Sequence, residues 1–403
     1  MICPTSFTFA QNSDDGIGKV EDLIKNKQFN SAFQLLNEID PENKNPGIVL
    51  KKIDILLNNY IETNLHQEFG LKDLNEGEIL EQLRGEQADY INYKFAVNTI
   101  LEELIRRYPT NWELYKALGE YYFEVYSIYN DQWIKPRNEL LELAKKYLLK
   151  ADQNNVFDAK TLNGLGYIEL QKNNPEKSIS YYLRLLKLDP NNSDANYYLA
   201  CAYMQLGKND ESLKFAKTSL ELYADKANKA ETAKLMVTFY SNKIDSLTAI
   251  KYYKVLEDLS PCNYDNVSGL LDLFIKKKDL KSAETAADAL FSIDLTPHSL
   301  SQIWDIYYQN GLTEELFKFF ERTEIKYVSH DGVVGNVLLT KAYFYKLIKD
   351  WNQAKHYFQE ARKRFEKFYE QDPSKLRFIN SMIESAEFEI EYIQFEEKEK
   401  TKK

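Results

Sequence analysis

The chain is expected to be all-α, an array of antiparallel helix pairs closed by a carboxy-terminal capping helix. Three observations carry that expectation. The sequence repeats itself at a lag of 34 residues. Turn punctuation is sparse, with 14 Gly and 10 Pro among 403 residues, which disfavours a many-stranded sandwich or barrel. Apolar residues recur at steps of three and four, the spacing of one helix face. With 44% hydrophobic and 28% charged residues the chain has enough apolar surface to bury a core. The 62 acidic residues outnumber the 52 basic ones, and a net charge of −10 supplies no global positive field for nucleic acid or an anionic membrane. No apolar run reaches the roughly 18 residues a spanning helix needs.

Residues 1–11 hold an apolar stretch and then Thr8-Phe9-Ala10, with small residues one and three places before a cut after Ala10. They read as the remnant of a signal peptide whose charged start lies upstream, or as an apolar amino terminus; export to the periplasm is favoured over a cytoplasmic location on the first reading. Cys3 would leave with the leader. Residues 12–111 read as a helical region of degenerate repeats. Phe29, Ala32 and Leu36 make a partial unit before Asp40-Pro41, and 45–109 is helical by periodicity but fits the repeat poorly.

Residues 112–157 hold a helix pair with an insertion. Leu118, Gly119 and Tyr122 suit its first helix, and Ala144, Leu148 and Ala151 its second. The added segment, Tyr126 to Arg137 (YSIYNDQWIKPR), is aromatic and precedes an expected N-cap at Asn138. Exposed, its Tyr126, Tyr129 and Trp133 would mark an interface or a sugar-stacking surface; folded back, they would cover an apolar edge.

The regular array spans 158–297. Superimposing Ala159–Asn192 on the next 34 residues puts Leu165 on Leu199, Gly166 on Ala200, Ser178 on Ser212 and Leu186 on Leu220. Ala230 to Asn263 continues with Tyr240, Ala249, Tyr253 and Pro261, and Tyr264 to Pro297 with Leu270, Phe274, Ala283 and Ala287. This pattern resembles the tetratricopeptide repeat family, whose unit is a helix-turn-helix with small residues at the helix crossing. The resemblance implies a right-handed superhelix, because each hairpin carries an apolar stripe that only a stacked neighbour can bury.

Residues 298–370 are divergent repeats. Ile303, Tyr307, Leu316 and Phe320 fit one unit, though bulky Trp304 and Leu316 should splay it; Ala342, Tyr345, Ala354, Phe358 and Ala361 fit another from about Gly335. Between them, Glu324 to Val334 reads as an irregular connector around Asp331-Gly332. In 371–403, Leu376, Ile379, Ile383, Ala386, Ile390 and Ile393 form one stripe, expected to cap the last unit or, through Ile383 and Ile390, to join a second copy. The charged end after Phe395 is expected to fray.

Signals for chemistry are few. His66, His298, His330 and His356 lack any partner at metal-ligand spacing, and Cys201 and Cys262 have no neighbouring His in sequence. No metal site, cofactor or enzyme activity is expected. Gly164-Leu165-Gly166 sits inside a helix, and Glu169 stands where a dinucleotide loop would need its third glycine. Carried over from the family, the concave face would be lined by Asn163, Tyr167, Tyr197, Cys201, Lys234, Thr238 and Asp272, a tyrosine-rich and nearly uncharged set. The places of the family's carboxylate clamp hold Asn163, Tyr167, Tyr198, Glu231 and Leu235, so that clamp is not expected. The function read from these residues is a scaffold that binds a protein or peptide. Glycan or envelope-polymer binding through the aromatic insertion, and self-assembly through the last helix, are its alternatives.

Overall fold

The computed structural model describes residues 16–84, 89–242 and 245–401. The expected leader and Cys3 lie outside the described residues. The chain divides into two compact units, through Leu222 and from Tyr223.

The first unit opens with a hairpin of α1 (16–25) and α2 (Phe29–Ile39), followed by α3 (Pro46–Asn59). Pro46 opens α3, and the Asn45 side chain caps it by accepting from the amides of Gly47 and Ile48. The chain then departs from the helix expected over 45–109. β1 (Glu62–Asn64), β2 (Glu68–Leu71) and β3 (Ile91–Lys94) form an antiparallel sheet in the order 1-2-3, with α4 (Leu80–Leu83) between the last two. Such short strands carry too little alternation to stand out in sequence. Central β2 buries Phe69 and Leu71 completely, and the β1–β2 turn places Leu65 and His66 in the left-handed region.

After α5 (Val97–Arg107) come the helix pairs: α6 (Trp112–Tyr129) with α7 (Arg137–Asp152), α8 (Ala159–Gln171) with α9 (Pro175–Leu188), and α10 (Ser193–Gln205) with α11 (Asn209–Leu222). Of the supposed insertion, residues 126–129 lengthen α6, which runs on to Tyr129, and residues 130–136 form the turn into α7. α7 starts before the expected cap, with Pro136 rather than Asn138 at its N-cap place. Asp158 and Asn192 cap α8 and α10 through Thr161 and Ala195 amides at 3.0 and 2.9 Å. Each of the turns into α9 and α11 has one left-handed residue, Asn173 and Gly207, so the lag of 34 also fixes where the chain reverses. Gly166 shows why the crossing needs a small residue: a Cβ there would stand 2.7 Å from the Tyr182 ring.

The second unit repeats the scheme with α12 (Lys226–Asn242) and α13 (Ser246–Leu259), α14 (Tyr264–Lys276) and α15 (Leu280–Ile293), α16 (Pro297–Gln309) and α17 (Thr313–Lys326), then α18 (Asp331–Leu347) and α19 (Trp351–Phe368). α12 begins one turn ahead of Ala230 because Asp225 accepts from the Asn228 amide at 2.8 Å. α16 and α17 lie less closely along each other than the pairs on either side, as bulky Trp304 and Leu316 imply. The connector expected over 324–334 shrinks to residues 327–330. Asp331 starts α18 instead, and a Cβ at Gly332 would stand 2.7 Å from the Phe368 ring on α19, so that glycine serves a helix crossing and not a loop.

The final helix, α20 (Pro373–Thr401), caps this unit. Ile383 and Ile390 are fully buried against Ala342, Ala354 and Phe358, with ion pairs from Lys355 to Glu391 and Arg362 to Glu387, each at 3.1 Å. These isoleucines therefore pack within their own chain and are unavailable to a second copy. The helix also continues past Phe395, where fraying was expected, since Glu and Lys are strong helix formers. No helix among the described residues is long and apolar enough to cross a membrane.

Candidate functional site

Within the first unit, α3, α6 and α8 border a cleft of about 440 Å³. The α6 wall is one helix face, since Glu113, Lys116, Ala117, Glu120, Phe123, Glu124 and Ser127 follow at steps of three and one. α3 adds Leu50, Ile53, Asp54, Leu57 and Asn58 by the same spacing, and α8 adds Lys160 and Asn163. Leu57, Ala117, Phe123 and Leu148 supply apolar surface, and the carboxylates lie around it.

The polar groups form two linked sets. Lys116 Nζ lies 3.0 Å from Asp158 and 3.3 Å from Glu113, while Thr161 Oγ1 donates to Glu120 at 2.8 Å. Burial, reinforced by the Asp158 charge, pushes the Glu120 carboxyl up to about 7; Thr161 and Lys116 pull the other way without cancelling it. Deeper in, Glu124 is 3.2 Å from Nε2 of fully buried His66, whose Nδ1 is 2.6 Å from the Tyr129 hydroxyl. Asn163 Oδ1 is buried and accepts no hydrogen bond.

The raised Glu120 has a cost that can be read directly. Between about pH 4.5 and 7 the unfolded chain gives up a proton that the folded chain keeps, so the wild type loses stability as pH rises through that window. Glu120→Gln is expected to stabilise the first unit by about 2 to 3 kcal/mol at pH 8 and by nothing appreciable at pH 4. Urea unfolding at the two pH values checks this, and an equal effect at both would contradict it.

The aromatic insertion does not make an exposed patch. Trp133 and Tyr126 are buried, and Tyr129 is half-buried on His66. Trp133 Nε1 donates to the Leu65 carbonyl at 2.7 Å, and the Tyr121 hydroxyl donates to that of His66 at 2.9 Å. The segment folds back because the β1–β2 turn offers it backbone acceptors and an apolar seat, which a sequence read as helix does not reveal.

Of the residues expected on the concave face, Asn163 alone lines the cleft. Tyr167 packs edge-on against Phe123 and Tyr198, each at 5.6 Å, and burial and Tyr126 push its hydroxyl to about 12. Tyr197 is half-buried beside Tyr198, and Cys201 bonds Tyr197 while burial lifts its thiol to about 11. In the second unit, Lys234 pairs with Glu231 at 2.8 Å, the Thr238 hydroxyl donates to the Lys234 carbonyl at 3.0 Å, and Asp272 accepts from Lys276 at 2.6 Å. The helices before residue 158 bring four carboxylates, Asp54, Glu113, Glu120 and Glu124, to the cleft.

Tetratricopeptide repeat models match residues 159–192 and 181–214, the segments that form α8 through part of α11. The chain is similar to a tetratricopeptide repeat protein from Parabacteroides merdae, with 14% identity, a TM-score of 0.39, and 66% of this chain and 98% of that one covered. It is also similar to MamA, at 21% identity and a TM-score of 0.33, covering 39% of this chain and 91% of that one. A third similar structure is YrrB, described as having an unusual peptide-binding site, at 15% identity and a TM-score of 0.35, covering 43% and 89%. No curated protein matches the chain.

Proposed function

We propose that the chain is an interaction scaffold built on the tetratricopeptide repeats that match residues 159–214, and that it holds an extended segment of a partner protein in the cleft between α3, α6 and α8. One observation carries the reading: a concavity of about 440 Å³ combines apolar surface with carboxylates, one of them kept near neutrality at a cost in stability. Carboxyls perturbed in this way cluster at functional sites. Asn163 contacts the bound segment directly, and Tyr197 and Cys201 carry the same face on to α10. Lys234, Thr238 and Asp272 offer a second, separate face on the other unit.

Filling the cleft tests the proposal. Ala117→Trp places an indole where the partner segment would lie. The full-length variant, checked for wild-type helicity, is expected to lose at least tenfold in affinity for the peptides that the wild type selects from an immobilised heptapeptide library. An unchanged selection would move the binding surface elsewhere.

A further inference from the structure

Carboxylates outnumber cations in the cleft. Asp54 stands on its α3 side and Glu113, Glu120 and Glu124 on its α6 side, against two ammonium groups, Lys116 and Lys160. Lys116 is already engaged by Asp158 and Glu113, so its charge does not reach out to a ligand. Glu124 leans on His66 by one oxygen at 3.2 Å, and its side chain keeps 33% exposure. Among the described residues neither Glu120 nor Glu124, one helical turn apart on α6, forms an ion pair with a lysine. Asn163 Oδ1, buried without a donor, adds an acceptor on the opposite wall. A carboxylate or phosphate entering here meets repulsion; a hydrogen-bond donor with positive charge meets partners.

We propose that the partner segment inserts one lysine or arginine side chain into this cleft, its cation lying between Glu120 and Glu124 and its methylene stem along Leu57 and Phe123. The proposal rests on the cleft being the partner site. The apolar stretch fits such a stem, because long cationic side chains bury their methylenes while the head stays among polar groups. Of the groups facing Glu120, Asp158 at the start of α8 raises its proton affinity, whereas Thr161 and Lys116 lower it. Asp54, Glu113, Glu124 and Lys160 complete the charges around the cleft, and α7 contributes only Leu148.

A cation seated on Glu120 requires the carboxylate form, so binding expels a proton. With the free carboxyl at about 7, the ionised fraction rises about tenfold from pH 6 to pH 8, and affinity rises with it.

The test uses dye-labelled heptapeptide pools of leucine and alanine around a fixed central arginine, lysine, citrulline, leucine or glutamate, titrated with the full-length chain. At pH 8 the arginine and lysine pools are expected to bind at least tenfold more tightly than the citrulline and glutamate pools. Their affinity should fall about tenfold at pH 6, and Glu120→Gln, which remains folded, should flatten that slope. Equal binding of all pools, preference for glutamate, or a pH slope that survives Glu120→Gln would overturn the cationic occupant. If pools bind without charge preference yet Ala117→Trp abolishes them all, only this inference fails. If Ala117→Trp changes nothing, or no pool binds, the partner site itself fails with it.

Discussion

Changing Ile383 and Ile390 together to aspartate is expected to release α20 from the second unit. Both side chains are fully buried on Ala342, Ala354 and Phe358, so the substitution removes two apolar anchors and asks two carboxylates to enter the same space. Burying each isoleucine stabilises the fold by about 1.5 to 3 kcal/mol, and an unpaired charge in an apolar seam adds further cost. A loss of about 4 kcal/mol in local stability corresponds to a fall of roughly a thousandfold in amide protection. Hydrogen exchange along Leu376 to Ile393 reads this directly, while amides of the first unit serve as the internal control. Unaltered protection in α20 would mean that the stripe does not hold the helix. A parallel sedimentation run separates this role from assembly: wild type and variant should sediment as the same species apart from the shape change of a detached helix.

Trp133→Ala carries the second large effect. The indole is buried, edge-on to Tyr121 at 6.0 Å and Tyr122 at 6.2 Å, and its Nε1 satisfies the Leu65 carbonyl at 2.7 Å. Truncation leaves a cavity and an orphaned acceptor, for an expected loss of about 3 to 5 kcal/mol. Trp133→Phe, which keeps most of the packing but not the donor, should fall between the two. Urea unfolding followed by far-UV circular dichroism measures the series. A loss below about 1 kcal/mol for the alanine variant would return this segment to the surface and revive an exposed aromatic patch.

The array from 158 onward was legible because local and tertiary signals agree there. Asp158, Asn192, Asn263 and Asp279 cap helices whose small residues meet their partners at a fixed lag. Gly166 and Ala200 could be aligned because backbone approach leaves them no freedom of size. The connector around Gly332 misled because glycine has two uses, turning a chain and admitting a neighbour, and sequence spacing alone does not say which applies. The sheet was hidden by strands of three and four residues, of which the central one packs on α3.

The cleft was illegible for a different reason. Its residues come from α3, α6 and α8, and the repeat pattern that locates concave positions fades before residue 112. Asn163 was found because it lies in the firm part of the pattern. Glu120 and Glu124 carry the helical spacing of a shared face, yet solvated acidic residues on helices have that spacing too. Only burial and the proximity of Asp158 and His66 distinguish them.

The seat of the β1–β2 turn has a consequence for synthesis. Its acceptors at Leu65 and His66 are met by Trp133 and Tyr121, 68 and 55 residues further along the nascent chain. At roughly 5 to 20 residues per second the ribosome needs about 3 to 14 s to deliver the tryptophan. The hairpin must therefore emerge long before its anchors, whereas each helix pair that follows can close as soon as its second helix clears the exit tunnel.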